Sequence, residues 1–203
     1  MDYVASLEAL EAVYGQPGET SLAKETVGLI PQYRAFVEAS PFCALATTGP
    51  EGMDCSPRGD KAGFVRVLDD RTLLMPDRRG NNRTDSLRNI VRNPQIALMF
   101  MVPGSKNCLR VNGTAKVTLD TQLCASFGVE GKAPRSVIVI RTEAVYFQCG
   151  RAIVRSHLWE PEQWTDSSGL PSPGKILATL SEGRVGGDEY DREWEGRALS
   201  TLW

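Results

Sequence analysis

The run Pro76-Asp77-Arg78-Arg79-Gly80-Asn81-Asn82-Arg83-Thr84-Asp85-Ser86 concentrates the residue types that could do chemistry in this 203-residue chain. It leaves an apolar stretch, passes a glycine that lets backbone approach a ligand, and enters a helical pattern whose first amides lack intrahelical partners. A helix start of this kind attracts anions. Its positive dipole end, the side-chain amides of Asn81 and Asn82, the Arg83 fork and the hydroxyl of Thr84 or Ser86 could together hold a phosphate dianion. Three charge-assisted hydrogen bonds there would contribute about 5–9 kcal/mol before desolvation. The same residues also read as a helix capped by Thr84 beside a solvated arginine loop, and local chemistry leaves both readings open. No Gly-Lys-Ser/Thr follows the glycine and no GxGxxG occurs, so neither a Walker loop nor a dinucleotide fingerprint is present.

Three further clusters bear on the first. Cys55-Ser56-Pro57-Arg58-Gly59-Asp60-Lys61 packs opposite charges into a short run; if folding brings it beside Arg83, Arg58 and Lys61 complete a phosphate cage. Leu109-Arg110-Val111-Asn112-Gly113 alternates, placing Arg110 and Asn112 on one strand face. Arg151 to Trp159 sets Arg155 close to an aromatic at a strand end.

Composition narrows the chemistry. Arginine outnumbers lysine 17 to 6, and eight arginines fall between Arg58 and Arg92, which favours planar forks suited to phosphate or carboxylate over point charges. A single histidine, His157, excludes multi-histidine metal centres and leaves any relay only one imidazole base. Five cysteines without a CxxC pair read as reduced and structural. Chemistry here is therefore expected to come from a cofactor, with no metal and no side chain assigned as catalytic. A net charge of -2 and scarce aromatics in the arginine run argue against a nucleic-acid-binding barrel. The longest apolar runs fall far short of the ~18 residues of a membrane span, and the first residues carry acids where a signal peptide carries bases, so a cytoplasmic location is expected.

The elements that must position these residues follow from periodicity. Val4, Leu7, Leu10 and Tyr14, then Ile30, Tyr33 and Val37, predict two helices. From Phe42 the period changes, and strands are predicted at 42–48, 63–68, 72–75, 95–102, 108–119 and 137–147, with a hairpin turn at Gly49-Pro50-Glu51-Gly52 and one helix over 84–92. Six strands on mostly hairpin-length connections predict a mostly β (α+β) fold: an antiparallel barrel with peripheral helices. One domain spans 1–203, with a helical arm at 1–40, a core at 41–156 and a wrapping segment at 157–203.

Ser56-Pro57-Arg58-Gly59-Asp60, Asp77 to Arg83, Arg110-Val111-Asn112-Gly113 and Arg155-Ser156-His157-Leu158-Trp159, in this order, resemble the pyridoxamine 5'-phosphate oxidase-like FMN-binding split-barrel family, over roughly residues 30 to 180. The resemblance implies a six-stranded split barrel and a homodimer holding FMN between its subunits. It implies that Arg58 and Lys61 meet the phosphate or flavin edge, and that Pro76 and Asp77 line the isoalloxazine. Asn82 and Arg83 stand where the family has a basic phosphate pair, so Arg83 carries the charge with help from Arg58. Asn81 and Ser86 complete that end; Arg110 lies near the ring, while Arg155 and Trp159 reach the flavin across the dimer. It further implies an FMN-dependent oxidoreductase acting on a small molecule, with hydride transfer at flavin N5. A departure is the Arg155-Ser156-His157 triplet, followed by an acidic tail, where the oxidase has an Arg-Leu-His clamp; the substrate stays open. A flavin carrier or sensor without turnover, a deazaflavin-binding barrel and a haem-degrading protein are the competing readings.

Overall fold

Alternation of buried and exposed side chains, with a period of two, begins at Phe42 and organises most of the chain. The computed structural model describes Met1–Trp203. Three helices come first: α1 (Leu7–Tyr14), α2 (Glu19–Leu22) and α3 (Pro31–Ala39). Two helices are expected there; the short α2 is the addition. Ser6 caps α1 by accepting from the Ala9 amide, yet α1 buries no side chain, so its apolar stripe faces outward. α3 opens with Pro31 in its first turn and buries Tyr33 and Val37 against the sheet.

Seven strands then form one antiparallel sheet: β1 (Phe42–Gly49), β2 (Gly52–Gly59), β3 (Arg66–Val67), β4 (Thr72–Pro76), β5 (Gln95–Met101), β6 (Cys108–Thr118) and β7 (Val137–Gln148). Their order is β2-β1-β5-β6-β7-β4-β3. The mostly β, α+β class is as expected, but the count is seven rather than six. The extra strand is β2, which forms the far arm of the predicted hairpin, with Gly49 opposite Gly52. Its sequence, GMDCSPRG, carries no apolar alternation because it is an edge strand. β3 is shorter than expected because the Phe64 amide donates to the Lys61 carbonyl, holding the preceding residues in a turn.

One apolar cluster of 19 buried residues draws on β1, β4, β5, β6 and β7, together with Tyr33 and Val37 of α3 and Ile90 of α4 (Asp85–Arg92). The sheet therefore wraps this main core, and a second cluster of four buried residues, Leu74, Cys124, Phe127 and Val137, lies apart from it. The two ends of the curled sheet are laced by side chains. Arg58 of β2 donates to Asp77, just past β4, at 2.6 Å, and Arg78 donates to Asp60, just past β2, at 2.7 Å.

α4 is fixed against β1 by a close approach. A Cβ on Gly49 would lie 2.2 Å from Oδ1 of Asn89, whose Nδ2 donates to Thr47 Oγ1 at 3.1 Å. Beyond β6 lie α5 (Thr121–Ser126) and, after β7, α6 (Arg151–Arg155), a 3-10 turn (Pro161–Gln163), α7 (Pro173–Leu180) and α8 (Asp188–Ser200). α7 and α8 form a hairpin: Asp191 accepts from the Ser172 hydroxyl and the Gly174 amide, and Gly186 packs so tightly that a Cβ would stand 2.5 Å from the Gly174 carbonyl oxygen. No helix is long and apolar enough to cross a membrane.

Candidate functional site

The residues between β4 and α4 bend sharply. Asn82 and Thr84 both adopt left-handed backbone (φ 61° and 56°), and Asn81 Oδ1 accepts from the Arg83 amide at 3.0 Å to close an Asx turn. A β-branched residue in this region costs about 1–2 kcal/mol. Thr84 forms no capping bond, so the sequence alternative of a helix capped by Thr84 is not what the structure has, and the first amides of α4 keep no side-chain acceptor from it.

A cavity of about 860 Å³ opens in front of this helix start. The lacing residues Arg58, Asp77 and Arg78 form one wall and the loop Lys132-Ala133-Pro134-Arg135, leading into β7, forms another; Trp203 also lines it. Six cations (Arg58, Arg78, Arg79, Arg83, Lys132 and Arg135) face three carboxylates (Asp54, Asp77 and Asp85), an excess of three positive charges. Arg79, Lys132 and Arg135 form no ion pair. Arg58 spends one nitrogen on Asp77, while its buried Nε has no partner. A buried guanidinium N–H without an acceptor is costly, and an anionic ligand would satisfy it. Cavity size, net charge and this spare donor fit a phosphorylated ligand of nucleotide size.

The electrostatics reach behind the wall. Cys43 pairs in register with Arg58, and burial pushes its thiol up to about 12 against the opposing pull of that arginine. At the turn between β1 and β2, hydrogen bonding from Arg92 holds the Glu51 carboxyl below its ordinary value.

The expected site residues fall into two groups. Arg58, Asp77, Asn81, Asn82, Arg83 and Ser86 all line the cavity. Pro76 is buried at the end of β4, directly before its rim. Arg83 is 75% exposed and paired with Asp85 at the mouth; Asn82 Oδ1 accepts from Arg135 at 3.4 Å. The Ser86 hydroxyl is buried and already donates to Asp54 at 2.7 Å. Lys61 is exposed and outside the cavity.

Arg110, Arg155 and Trp159 form the second group, apart from this cavity. The Arg110 guanidinium lies over Tyr146, 5.0 Å from the ring centroid. Arg155 sits at the end of α6, not on a strand, and lines a shallower depression of about 340 Å³ with Lys106 and Arg151. Trp159 donates its indole N–H to the Ser105 carbonyl at 2.8 Å.

Sequence reasoning did not single out Lys132, Arg135, Asp54 or Trp203. The pairing of β4 with β7 carries the Lys132–Arg135 loop to the cavity, and the α7–α8 hairpin returns Trp203 to it, both long-range events without a local motif.

No curated protein matches the chain. Similar solved structures include HupZ from Group A Streptococcus (20% identity, covering 58% of this chain and 92% of that one, TM-score 0.47). Another is a protein from Clostridium acetobutylicum related to general stress protein 26 of B. subtilis, of the pyridoxinephosphate oxidase family (15% identity, 58% and 86% covered, TM-score 0.45). An F420 reductase is similar at 19% identity, with 59% and 98% covered and a TM-score of 0.43. The model of the family described as pyridoxamine 5'-phosphate oxidase matches residues 29–149, more than half of the chain. These residues include all seven strands and the bend ahead of α4, and the chain belongs to the pyridoxamine 5'-phosphate oxidase family.

Proposed function

We propose that this protein is an FMN-dependent oxidoreductase that acts on a small molecule. The observation that carries the reading is the surplus of guanidinium groups around an uncapped helix start, with the buried Nε of Arg58 still unpartnered. Bound there, FMN would supply hydride transfer at its N5. The chain's own residues bind and orient. Arg83, Asn82 and the α4 amides take the phosphate end, with Arg79 and Arg135 adding charge. Arg58 offers Nε from the wall while Asp77 fixes its plane. The Ser86 hydroxyl reaches a phosphate by turning from Asp54.

A homodimer is part of this proposal. Arg110, Arg155 and Trp159 lie away from the cavity of their own chain, and on this reading a second copy delivers them. Support comes from the sheet face that carries Arg110: Met99, its register partner, is exposed there, and Asn112 on the same face keeps a buried Oδ1 without a donor.

The test is to denature the purified protein and record the spectrum and mass of what it releases, then assay oxidation of a reduced nicotinamide. FMN with turnover supports the reading. FMN without turnover makes the protein a carrier or sensor, a deazaflavin mass replaces the cofactor, and failure to retain any flavin, even when FMN is added, removes the proposal.

A further inference from the structure

On the flavin reading above, we propose that Trp203 is the stacking surface of the site: its indole takes the planar ring of the bound ligand on one face while Arg78 supports the other.

The cavity wall is mostly polar, and beside Pro57, Ala133 and Pro134 its one aromatic side chain is Trp203. Trp203 is thus the one aromatic face this chain offers to a ligand held by its phosphate at the α4 end. A planar heteroaromatic system in a site of charged forks needs such a face, because offset stacking supplies attraction that charge does not. The guanidinium of Arg78 lies 5.2 Å from the Trp203 ring centroid, a cation–π distance. Arg78 is a fixed support: Nε donates to Asp60 at 2.7 Å and Nη1 to the Phe127 carbonyl at 2.8 Å. Its position does not depend on the ligand. An indole resting on this post has one face covered and the other available. Trp203 follows α8, whose Asp191 is bonded to Ser172 and Gly174, so the whole α7–α8 hairpin places it rather than a free tail. Arg78 is accordingly a positioning residue and Trp203 a ligand-contacting one.

The experiment compares FMN binding to the full chain with Trp203→Leu, Trp203→Phe and Trp194→Phe, the last altering an exposed α8 tryptophan outside the cavity. Bound FMN is expected to be dimly fluorescent in the unaltered protein because the indole quenches it. W203L should brighten bound FMN and weaken its affinity by about 2- to 12-fold, the span set by one aromatic pair. W203F should retain affinity within about 2-fold, and W194F should match the unaltered protein. Competition by inorganic phosphate, which probes only the α4 end, should be unchanged in W203L. Equal fluorescence and affinity in W203L and the unaltered protein would overturn the stacking role, as would loss of phosphate competition together with FMN binding, which signals a structural role. If the unaltered protein binds no FMN, the flavin reading itself is what fails. W203F supplies the comparison should W203L not fold: retained affinity with brighter bound FMN supports stacking, because phenylalanine stacks but does not quench flavin by electron transfer, and unchanged quenching opposes it.

Discussion

Nη1 of Arg58 reaches Oδ1 of Asp77 across 2.6 Å, joining an edge strand to a strand near the opposite edge of the same sheet. Asp60, the first residue past β2, and Arg78, the second past β4, repeat the contact with the charges exchanged. The curled sheet is therefore fastened by side chains where no strand pairing exists, and the fastening is also the wall of the cavity.

Breaking this lacing should cost stability. The Asp60 side chain is only 3% exposed, so Asp60→Ala strands the Arg78 guanidinium and is expected to destabilise the fold by about 3 kcal/mol. Urea unfolding of D60A, R78A and the double variant checks it. A D60A value within 0.5 kcal/mol of the unaltered protein, on the scale of an ordinary surface substitution, would show the pair to be ornamental.

Arg83 should behave in the opposite way. Its pair with Asp85 is solvent-exposed, and such pairs contribute about 0–1 kcal/mol. Arg83→Ala is thus expected to leave the melting temperature nearly unchanged while weakening FMN binding by about 1.5–3 kcal/mol. Calorimetry and an FMN titration on one preparation separate the two effects, and undiminished affinity takes Arg83 out of the cage.

Gly49 is expected to matter at a distance from any ligand. Its missing Cβ is what admits Oδ1 of Asn89, and Asn89 is pinned by Thr47. Gly49→Ala should cost about 1–3 kcal/mol by overpacking and tilt α4 away from the sheet, weakening FMN binding as well. Unfolding and titration that both match the unaltered protein would refute the coupling.

The cysteines should sort by chemistry. Cys149 is exposed, and the backbone N–H of Arg151, aided by the charges of Arg151 and Lys24, holds its thiol below the ordinary value of 9.0. It should alkylate before Cys55 in the native protein, with Cys43, Cys108 and Cys124 labelled only after unfolding. Peptide mapping by mass after timed iodoacetamide exposure gives the order. Cys43, raised from 9.0 to about 12 by burial, favours the folded state only while its thiol stays protonated. That contribution is complete below about pH 9 and fades as pH climbs toward 12, so Cys43→Ala should show a shallower alkaline loss of stability.

Much of the fold was legible because its signals are local. The apolar runs of β4, β5, β6 and β7 and the stop at Asn93-Pro94 after α4 stand in the sequence almost as they fold. β2 was hidden because an edge strand need not alternate, and Pro57 and two glycines disguise it. At the site, the bend at Asn81–Thr84 was readable from glycine, asparagine and the helix start. That Arg58 stands beside Asp77 depends on how the sheet curls, and the presence of Trp203 depends on a hairpin made of Gly174, Gly186 and Asp191, far along the chain from the bend. Neither has a signature within reach of a short window.

Pro57 lies on β2, one of the two edge strands, where it has no backbone hydrogen to offer a newcomer. Runaway addition of foreign strands, the usual route to fibrils, is thus discouraged at that margin by one imino acid. Crowded solutions of this protein should cluster instead through the outward-facing apolar side of α1, forming reversible amorphous droplets or oligomers rather than ordered fibres.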